Sequence, residues 1–95
     1  MALFAVIGLG SFGATVATQL ISLNHEVIGI DLNKKYVENI SDQLTHAVIA
    51  DATDEHVLDE LNIQRCDAAV VAIGEDIEAS ILCVLHLKNM GVKKI

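Results

Sequence analysis

The chain has 95 residues, a formal net charge of −7 at pH 7 and a 53% share of hydrophobic residues, with one Tyr, two Phe and no Trp. This length predicts one domain, residues 1–95, with an aliphatic core. Because only six Lys or Arg residues are present, the chain lacks the basic surface that a nucleic acid or an anionic membrane would need.

The most informative motif follows the first predicted strand, residues 3–7, and reads Gly8-Leu9-Gly10-Ser11-Phe12-Gly13. In a dinucleotide-binding turn the first glycine permits the tight turn, the second lets a pyrophosphate approach the backbone, and the third lets the helix pack on its strand. The free N–H groups of the helix then bind the phosphates, and no Lys or Arg is required in the loop. The motif predicts a phosphate site at Gly8, Gly10 and Gly13.

The first helix is predicted at residues 11–23 from its 3.6-residue apolar periodicity. The same spacing predicts which side chains face the sheet. They are Phe12, Val16, Leu20 and Leu23.

The second unit consists of a strand at 26–30 and a helix at 34–43 with Asn33 as its N-cap. Asp31 ends this strand about 20 residues after the glycines, where a carboxylate can accept hydrogen bonds from the ribose hydroxyls. It would also repel a 2′-phosphate, which favours NAD or a plain adenine nucleotide over NADP. The alternative is that Asp31 only caps a turn and that the glycines only serve packing.

The third unit has a strand at 46–50, then Asp51-Ala52-Thr53, then a helix capped by Thr53 or Asp54. The loops after parallel strands meet at one crevice. Ala52 would lie against an adenine ring there and Asp51 would accept from its exocyclic amine. The alternative is that these polar residues only cap the helix.

The fourth unit has a strand at 68–73 and a helix at 77–89 that is apolar nearly all round, which predicts cover on more than one side. Gly74, between them, either lets the backbone approach a nucleotide or only marks a turn. Residues 92–95 resemble the start of a fifth strand that the chain's end cuts short.

Right-handed crossovers between such units predict an α/β fold, a doubly wound parallel (Rossmann) sheet of order 3-2-1-4 with strand 5 at its edge.

The four histidines and the acidic helix starts, including Glu75, suggest no catalytic or metal site, although a divalent cation held with a nucleotide stays an alternative. Cys66 and Cys83 lack metal-binding spacing and are expected to be buried thiols of a cytoplasmic protein. The predicted nucleotide site is Gly8, Gly10, Ser11, Phe12, Gly13, Asp31, Leu32, Asp51, Ala52, Thr53, Ala72, Ile73 and Gly74.

These segments together resemble the N-terminal lobe of RCK domains, also called TrkA-N or KTN domains, and most of all the Ktr-type potassium-uptake subunits. The resemblance implies a cytosolic, non-catalytic regulator that binds NAD(H) or ATP, ADP or AMP and controls a membrane potassium transporter or channel subunit. It also implies dimers or rings. Ktr-type lobes commonly have arginine directly after the second glycine, where this chain has Ser11. A neutral hydroxyl there favours a dinucleotide or an AMP-like ligand over a triphosphate.

Three other functions are compatible with the motif. The first is the cofactor half of an NAD-dependent dehydrogenase, which would need a general acid or base from elsewhere. The second is an S-adenosylmethionine-dependent methyltransferase, and the third is a minimal scaffold that folds without regulation. The apolar helix around Leu82 and Leu85 favours a homodimer.

Overall fold

Four short parallel strands form the centre of the molecule in a computed structural model, which describes residues 1–74 and 76–95. The sheet order is β3-β2-β1-β4, as predicted. β1 and β4 end at the same level, because Ile7 pairs with Val71, so β4 stops two residues before the predicted position 73. The strands are β1 (Leu3–Ile7), β2 (Glu26–Asp31), β3 (His46–Ile49) and β4 (Ala68–Val71).

Within the described residues, four helices connect and follow the strands, and three of them begin at a side-chain cap. Asn33 accepts from the Tyr36 amide at 3.1 Å, Asp54 from the His56 amide at 2.9 Å, and Asp76 from the Ala79 amide at 2.9 Å. Asp54 is therefore the cap of the third helix, while Glu75 lies outside the described residues. The helices are α1 (Ser11–Ser22), α2 (Lys34–Ile40), α3 (Glu55–Glu60) and α4 (Ile77–Met90), with 3₁₀ turns at Ser41–Gln43 and Ile63–Arg65.

The sheet separates two apolar layers, because successive side chains of a strand point to opposite faces. Val6 of β1 packs toward α1 and α2, whereas Ala5 and Ile7 pack toward α3 and α4. This alternation confirms the doubly wound arrangement. The α1–α2 layer contains Val6, Leu9, Ala17, Val27, Val37, Ile40 and Leu44. The other layer includes Ile28, Ile30, Leu58, Ile63, Cys66, Cys83, Leu87 and Val92.

The predicted inner face of α1 was wrong at both of its ends. Phe12 is 69% exposed and Leu23 is 64% exposed, whereas Gly13 and Ala17 are buried. The helix crosses the turn so closely that a Cβ on Gly13 would lie 1.7 Å from the Gly8 carbonyl oxygen. Small residues four apart therefore form the contact with the sheet.

Helix α4 packs on the sheet along one side only. The buried residues of that side are Cys83 and Leu87. The prediction that it is covered on more than one side was wrong for the described residues, because α4 lies beside the edge strand. The exposed apolar side chains of its outer face are Ile77, Ile81, Leu82 and Leu85. Across residues 1–74 and 76–95, no helix has the length and apolarity that crossing a bilayer requires.

Both cysteines are buried free thiols, as predicted. Burial disfavours the charged thiolate, which raises the pKa of Cys83 to about 11 and raises that of Cys66 as well.

The expected fifth strand is absent from the described residues. Residues 92–95 follow the left-handed Gly91 and contribute one backbone hydrogen bond toward β4, from the Ala69 amide to the Lys94 carbonyl at 2.8 Å. Val92 is buried against the α3–α4 layer. A single hydrogen bond does not form a β-ladder. The bond lies on the side of β4 that does not face β1, where the fifth strand was expected.

Candidate functional site

A cavity of about 510 Å³ opens at the carboxyl ends of the strands. Its size is within the range of sites that hold small molecules. It brings together ten of the thirteen predicted site residues and omits Ser11, Phe12 and Gly13. The lining consists of Ile7, Gly8, Gly10, Ile30, Asp31, Leu32, Tyr36, Ala50, Asp51, Ala52, Thr53, Ala72, Ile73, Gly74, Asp76 and Ala79.

Two glycines of the turn are required by the fold itself. Gly8 has φ +101°, and a Cβ there would lie 2.3 Å from the Ala72 carbonyl oxygen. Gly13 is crowded by Gly8 in the same way. Because the opposing atoms belong to the backbone, they cannot move aside as a side chain could. The conformation of this turn therefore requires glycine at both positions.

Gly10 is different, because nothing in the described fold demands a glycine there. Its φ is −68°, and an added Cβ would meet only the Tyr36 ring, at 3.8 Å from Cε2. Gly10 is also the N-cap of α1, and no side chain in the described part of the chain caps that end. A helix start left open toward a cavity suits an anionic group held against bare backbone.

Asp31 holds the glycine turn to the second strand. Its Oδ2 accepts from the Leu9 amide at 2.7 Å, and its Oδ1 accepts from the Asn33 amide at 2.8 Å. The carboxylate thus has a structural function, which the sequence analysis considered only as an alternative. Each carboxylate oxygen has two lone-pair directions, so both can still accept from a ribose hydroxyl.

The turn after β3 is built from side-chain hydrogen bonds. Asp51 Oδ1 accepts from the Thr53 hydroxyl at 2.6 Å and from the Thr53 amide at 2.9 Å. These two bonds, the hydroxyl first, lower the pKa of Asp51, against a smaller effect of burial. Ala52 is 7% exposed and belongs to the core as well as to the cavity lining.

This turn also contacts α4. The His86 Nε2 atom lies 3.0 Å from the Thr53 carbonyl oxygen, and its Nδ1 lies 3.8 Å from Glu55 Oε2. The imidazole therefore connects the cavity wall to the helix with the exposed apolar face.

Six lining residues are not among the predicted site residues, and four of them had a readable signal in the sequence. Ile7, Ile30 and Ala50 stand at or just after the ends of predicted strands, and Asp76 caps the helix that follows β4. Tyr36 had no such signal, because its place beside Gly10 depends on how α2 packs against α1.

The cavity is acidic. Asp31, Asp51 and Asp76 line it, and none of its described lining residues is Lys or Arg. Positive potential at the site therefore comes from the amino end of α1. Within residues 1–74 and 76–95, no group of three His, Cys, Asp or Glu side chains is arranged to hold a metal ion.

Relatives of known name match nearly the whole chain. It is similar to Ktr system potassium uptake protein A of Bacillus subtilis, with 44% identity over 97% of this chain and 41% of that protein. It is similar to protein C of the same system, with 46% identity over 97% of this chain and 42% of that protein. The chain therefore spans about two fifths of the length of these relatives.

Solved structures of similar fold include the NAD(P)-binding domain of an exopolyphosphatase-related protein from Archaeoglobus fulgidus. That domain superposes with a TM-score of 0.82 at 27% identity, over 95% of this chain and 67% of that one. A UDP-glucose-4-epimerase from Stenotrophomonas maltophila, solved with NAD, gives a TM-score of 0.73 at 21% identity over 97% of this chain and 35% of that one. At that identity it shows the fold alone.

The family model of the TrkA-N domain matches residues 4–95, which is nearly the full chain. The match confirms the resemblance predicted from the glycine turn, Asp31 and the segments after β3 and β4. The chain belongs to the TrkA-N domain family.

Proposed function

We propose that this chain is a nucleotide-binding regulatory unit, residues 1–95, which binds NAD(H) or an adenine nucleotide and takes part in the control of potassium transport without catalysing a reaction. Gly10 carries the proposal: the fold does not need a glycine at this position, whereas a phosphate group approaching the open amino end of α1 does. The proposed contacts are those predicted from the sequence, with Ser11, Phe12 and Gly13 contributing backbone amides only.

The orientation of the ligand follows from the chemistry of the walls. The pyrophosphate lies at Gly8 and Gly10, the ribose hydroxyls donate to Asp31, and the adenine lies between Leu32 and the Asp51–Thr53 turn. Ala72, Ile73 and Gly74 form the opposite wall. This arrangement places the phosphate charge at the glycine turn, where the helix N–H groups are available, and not at the Asp51–Thr53 turn.

The number of phosphates is limited by the charge of the site. Three carboxylates line the cavity and Ser11 supplies no positive charge, so each further phosphate adds repulsion without a compensating cation. NAD(H), AMP and ADP are therefore expected to bind more tightly than ATP.

A role in potassium transport is supported by the printed names of the relatives, which are potassium uptake proteins. In such a system the chain would act in the cytoplasm, and a membrane transporter or channel subunit would be its partner. The exposed face of α4 is the proposed homodimer contact, because Ile77, Ile81, Leu82 and Leu85 offer continuous apolar surface. Nucleotide binding would then change how paired copies are oriented.

Isothermal calorimetry with NAD, NADH, ATP, ADP, AMP and S-adenosylmethionine tests the binding proposal. We expect Gly10→Ala to weaken nucleotide binding by about tenfold or more, since its methyl group occupies the place of the phosphate. Gln19→Ala, on the exposed middle of α1, is the matched control and should bind as the wild type does. A wild-type chain that binds none of these ligands would leave the scaffold alternative standing.

The non-catalytic assignment has its own test. Incubation of the chain with NAD and a panel of 2-hydroxy acids should give no sustained formation of NADH. Sustained turnover would instead support the dehydrogenase alternative. Tightest binding of S-adenosylmethionine would favour the methyltransferase.

Sedimentation velocity tests the homodimer. Leu85→Lys is expected to shift the wild-type dimer to monomer, because it places a charge in the proposed apolar contact. Gln64→Lys, an exposed residue in the 3₁₀ turn after α3, adds the same charge elsewhere and should leave the dimer intact. A wild-type chain that sediments as a monomer would contradict this part of the proposal.

A further inference from the structure

A second cavity of about 380 Å³ lies between α1 and α2, directly beside the first. We call it the α1–α2 groove. Two residues, Gly10 and Tyr36, line both cavities. The other polar side chains that line the groove are those of Ser11, Thr15 and Thr18 on α1 and of Asn39 and Gln43 beside them.

Tyr36 stands at the boundary between the two spaces. Its amide donates to Asn33 Oδ1 at 3.1 Å in the first turn of α2, which fixes where the side chain leaves the helix. Its ring then reaches the glycine turn, where Cε2 lies 3.8 Å from the position of a Gly10 Cβ. The residue is 44% exposed.

The two cavities differ in charge. Among the described residues, three carboxylates line the main cavity and none lines the groove. The Thr15 and Thr18 hydroxyls donate to carbonyls of their own helix, at 2.9 and 3.0 Å. The side-chain donors left for an anion in the groove therefore include the Ser11 and Tyr36 hydroxyls and the amide groups of Asn39 and Gln43.

We propose that Tyr36 is a specificity-determining residue, whose ring separates the ribose end of the cavity from the α1–α2 groove and so excludes nucleotides with a 2′-phosphate. This inference rests on the proposed nucleotide site, in which Asp31 receives the ribose. A 2′-phosphate would be placed beside Asp31, which repels it, and a neighbouring space that no described carboxylate lines is the groove beyond the Tyr36 ring. Exclusion by the ring acts in addition to repulsion by the carboxylate.

The test compares two ligands that differ only in the 2′-phosphate, 5′-AMP and adenosine 2′,5′-bisphosphate, by calorimetry on the full chain. The wild type should prefer AMP. Tyr36→Ala joins the two cavities and should reduce that preference by roughly tenfold, the size of one hydrogen bond to a charged group. Tyr36→Phe keeps the ring and should retain the wild-type preference, because the ring and not the hydroxyl forms the barrier.

A second pair of variants tests the groove itself. Adding Gln43→Glu to Tyr36→Ala places a carboxylate in the groove and should restore the preference for AMP. Tyr36→Ser provides a second truncation in case Tyr36→Ala does not fold, as judged by circular dichroism. The inference is overturned if AMP binds and the truncations leave the preference unchanged, or if Tyr36→Phe alone removes it. If only dinucleotides bind, NAD and NADP, which differ in the same 2′-phosphate, replace this pair of ligands. If the wild type binds neither the mononucleotides nor NAD(H), the proposed function fails and this inference fails with it.

Discussion

The turn after β1 and the turn after β3 form opposite parts of one cavity but are held in place by different forces. In the first, a Cβ on Gly8 or Gly13 would collide with a backbone carbonyl oxygen. In the second, Asp51 and Thr53 are joined by two side-chain-mediated hydrogen bonds. The first turn is thus fixed by excluded volume, so any residue larger than glycine at these two positions overlaps the backbone. The second turn depends on polar contacts, which other polar residues can partly replace.

The largest loss of folding stability is expected for a substitution in the first turn, where excluded volume acts alone. Gly13→Ala places a methyl group 1.7 Å from the Gly8 carbonyl oxygen and should lower the free energy of unfolding by about 3 kcal/mol or more, since the backbone must shift to relieve the overlap. Urea denaturation followed by circular dichroism measures this loss. A change below about 1 kcal/mol would show that the backbone of this turn can shift at little cost, against the assignment to excluded volume.

The second largest loss of stability is expected at Asp31, because this residue anchors the first turn through hydrogen bonds and not through excluded volume. Asp31→Ala leaves the Leu9 and Asn33 amides without their acceptor and should cost about 2 kcal/mol of unfolding free energy. Asp31→Asn retains one amide oxygen as an acceptor, so the free energy of unfolding should fall by less than in Asp31→Ala when both are measured in the same denaturation experiment. Equal losses in the two variants would mean that the charge matters more than the hydrogen bonds.

The turn after β3 should give a smaller, pH-dependent effect. Thr53→Val removes the hydroxyl that bonds to Asp51 while keeping the shape, and should cost at most about 1 kcal/mol at pH 7. Because this bond lowers the folded-state pKa of Asp51, its stabilisation is present above the unfolded-state pKa and is lost as the pH falls through the folded value.

Denaturation of both proteins between pH 7 and pH 2 checks this sign, since the difference between them should shrink toward acid. Thr53→Ser keeps a hydroxyl and should follow the wild type. A difference that grows toward low pH would contradict the assignment of the bond to the ionised carboxylate.

The smallest effect on stability is expected for Gly10→Ala, in the same turn as Gly13. Its Cβ meets only the Tyr36 ring, at an ordinary contact distance of 3.8 Å, so unfolding free energy should change by less than about 1 kcal/mol in urea. This variant separates the two reasons for glycine in one motif, since Gly13 serves the fold and Gly10 is assigned to the ligand. A loss as large as that of Gly13→Ala would remove this distinction.

Much of the fold was predictable because the signals were local. Alternating apolar segments predicted the parallel sheet and its order, and Asn33 and Asp54 acted as the expected helix caps. The inner face of α1 was not predictable from apolar spacing, because two small residues form the contact and Phe12 points outward. Most of the predicted site residues line one cavity, since strand ends in a parallel sheet meet at one edge.

The sequence by itself determined the strand and helix order, the glycine turn and the acidic residues at the strand ends, because each depends on neighbours only a few positions away. Only the tertiary structure decided that Asp31 anchors the Leu9 amide, that Tyr36 stands between two cavities, and that the outer face of α4 is exposed. These features depend on distances between elements far apart in the chain, which are set when the helices pack on the sheet and which local residue patterns do not encode.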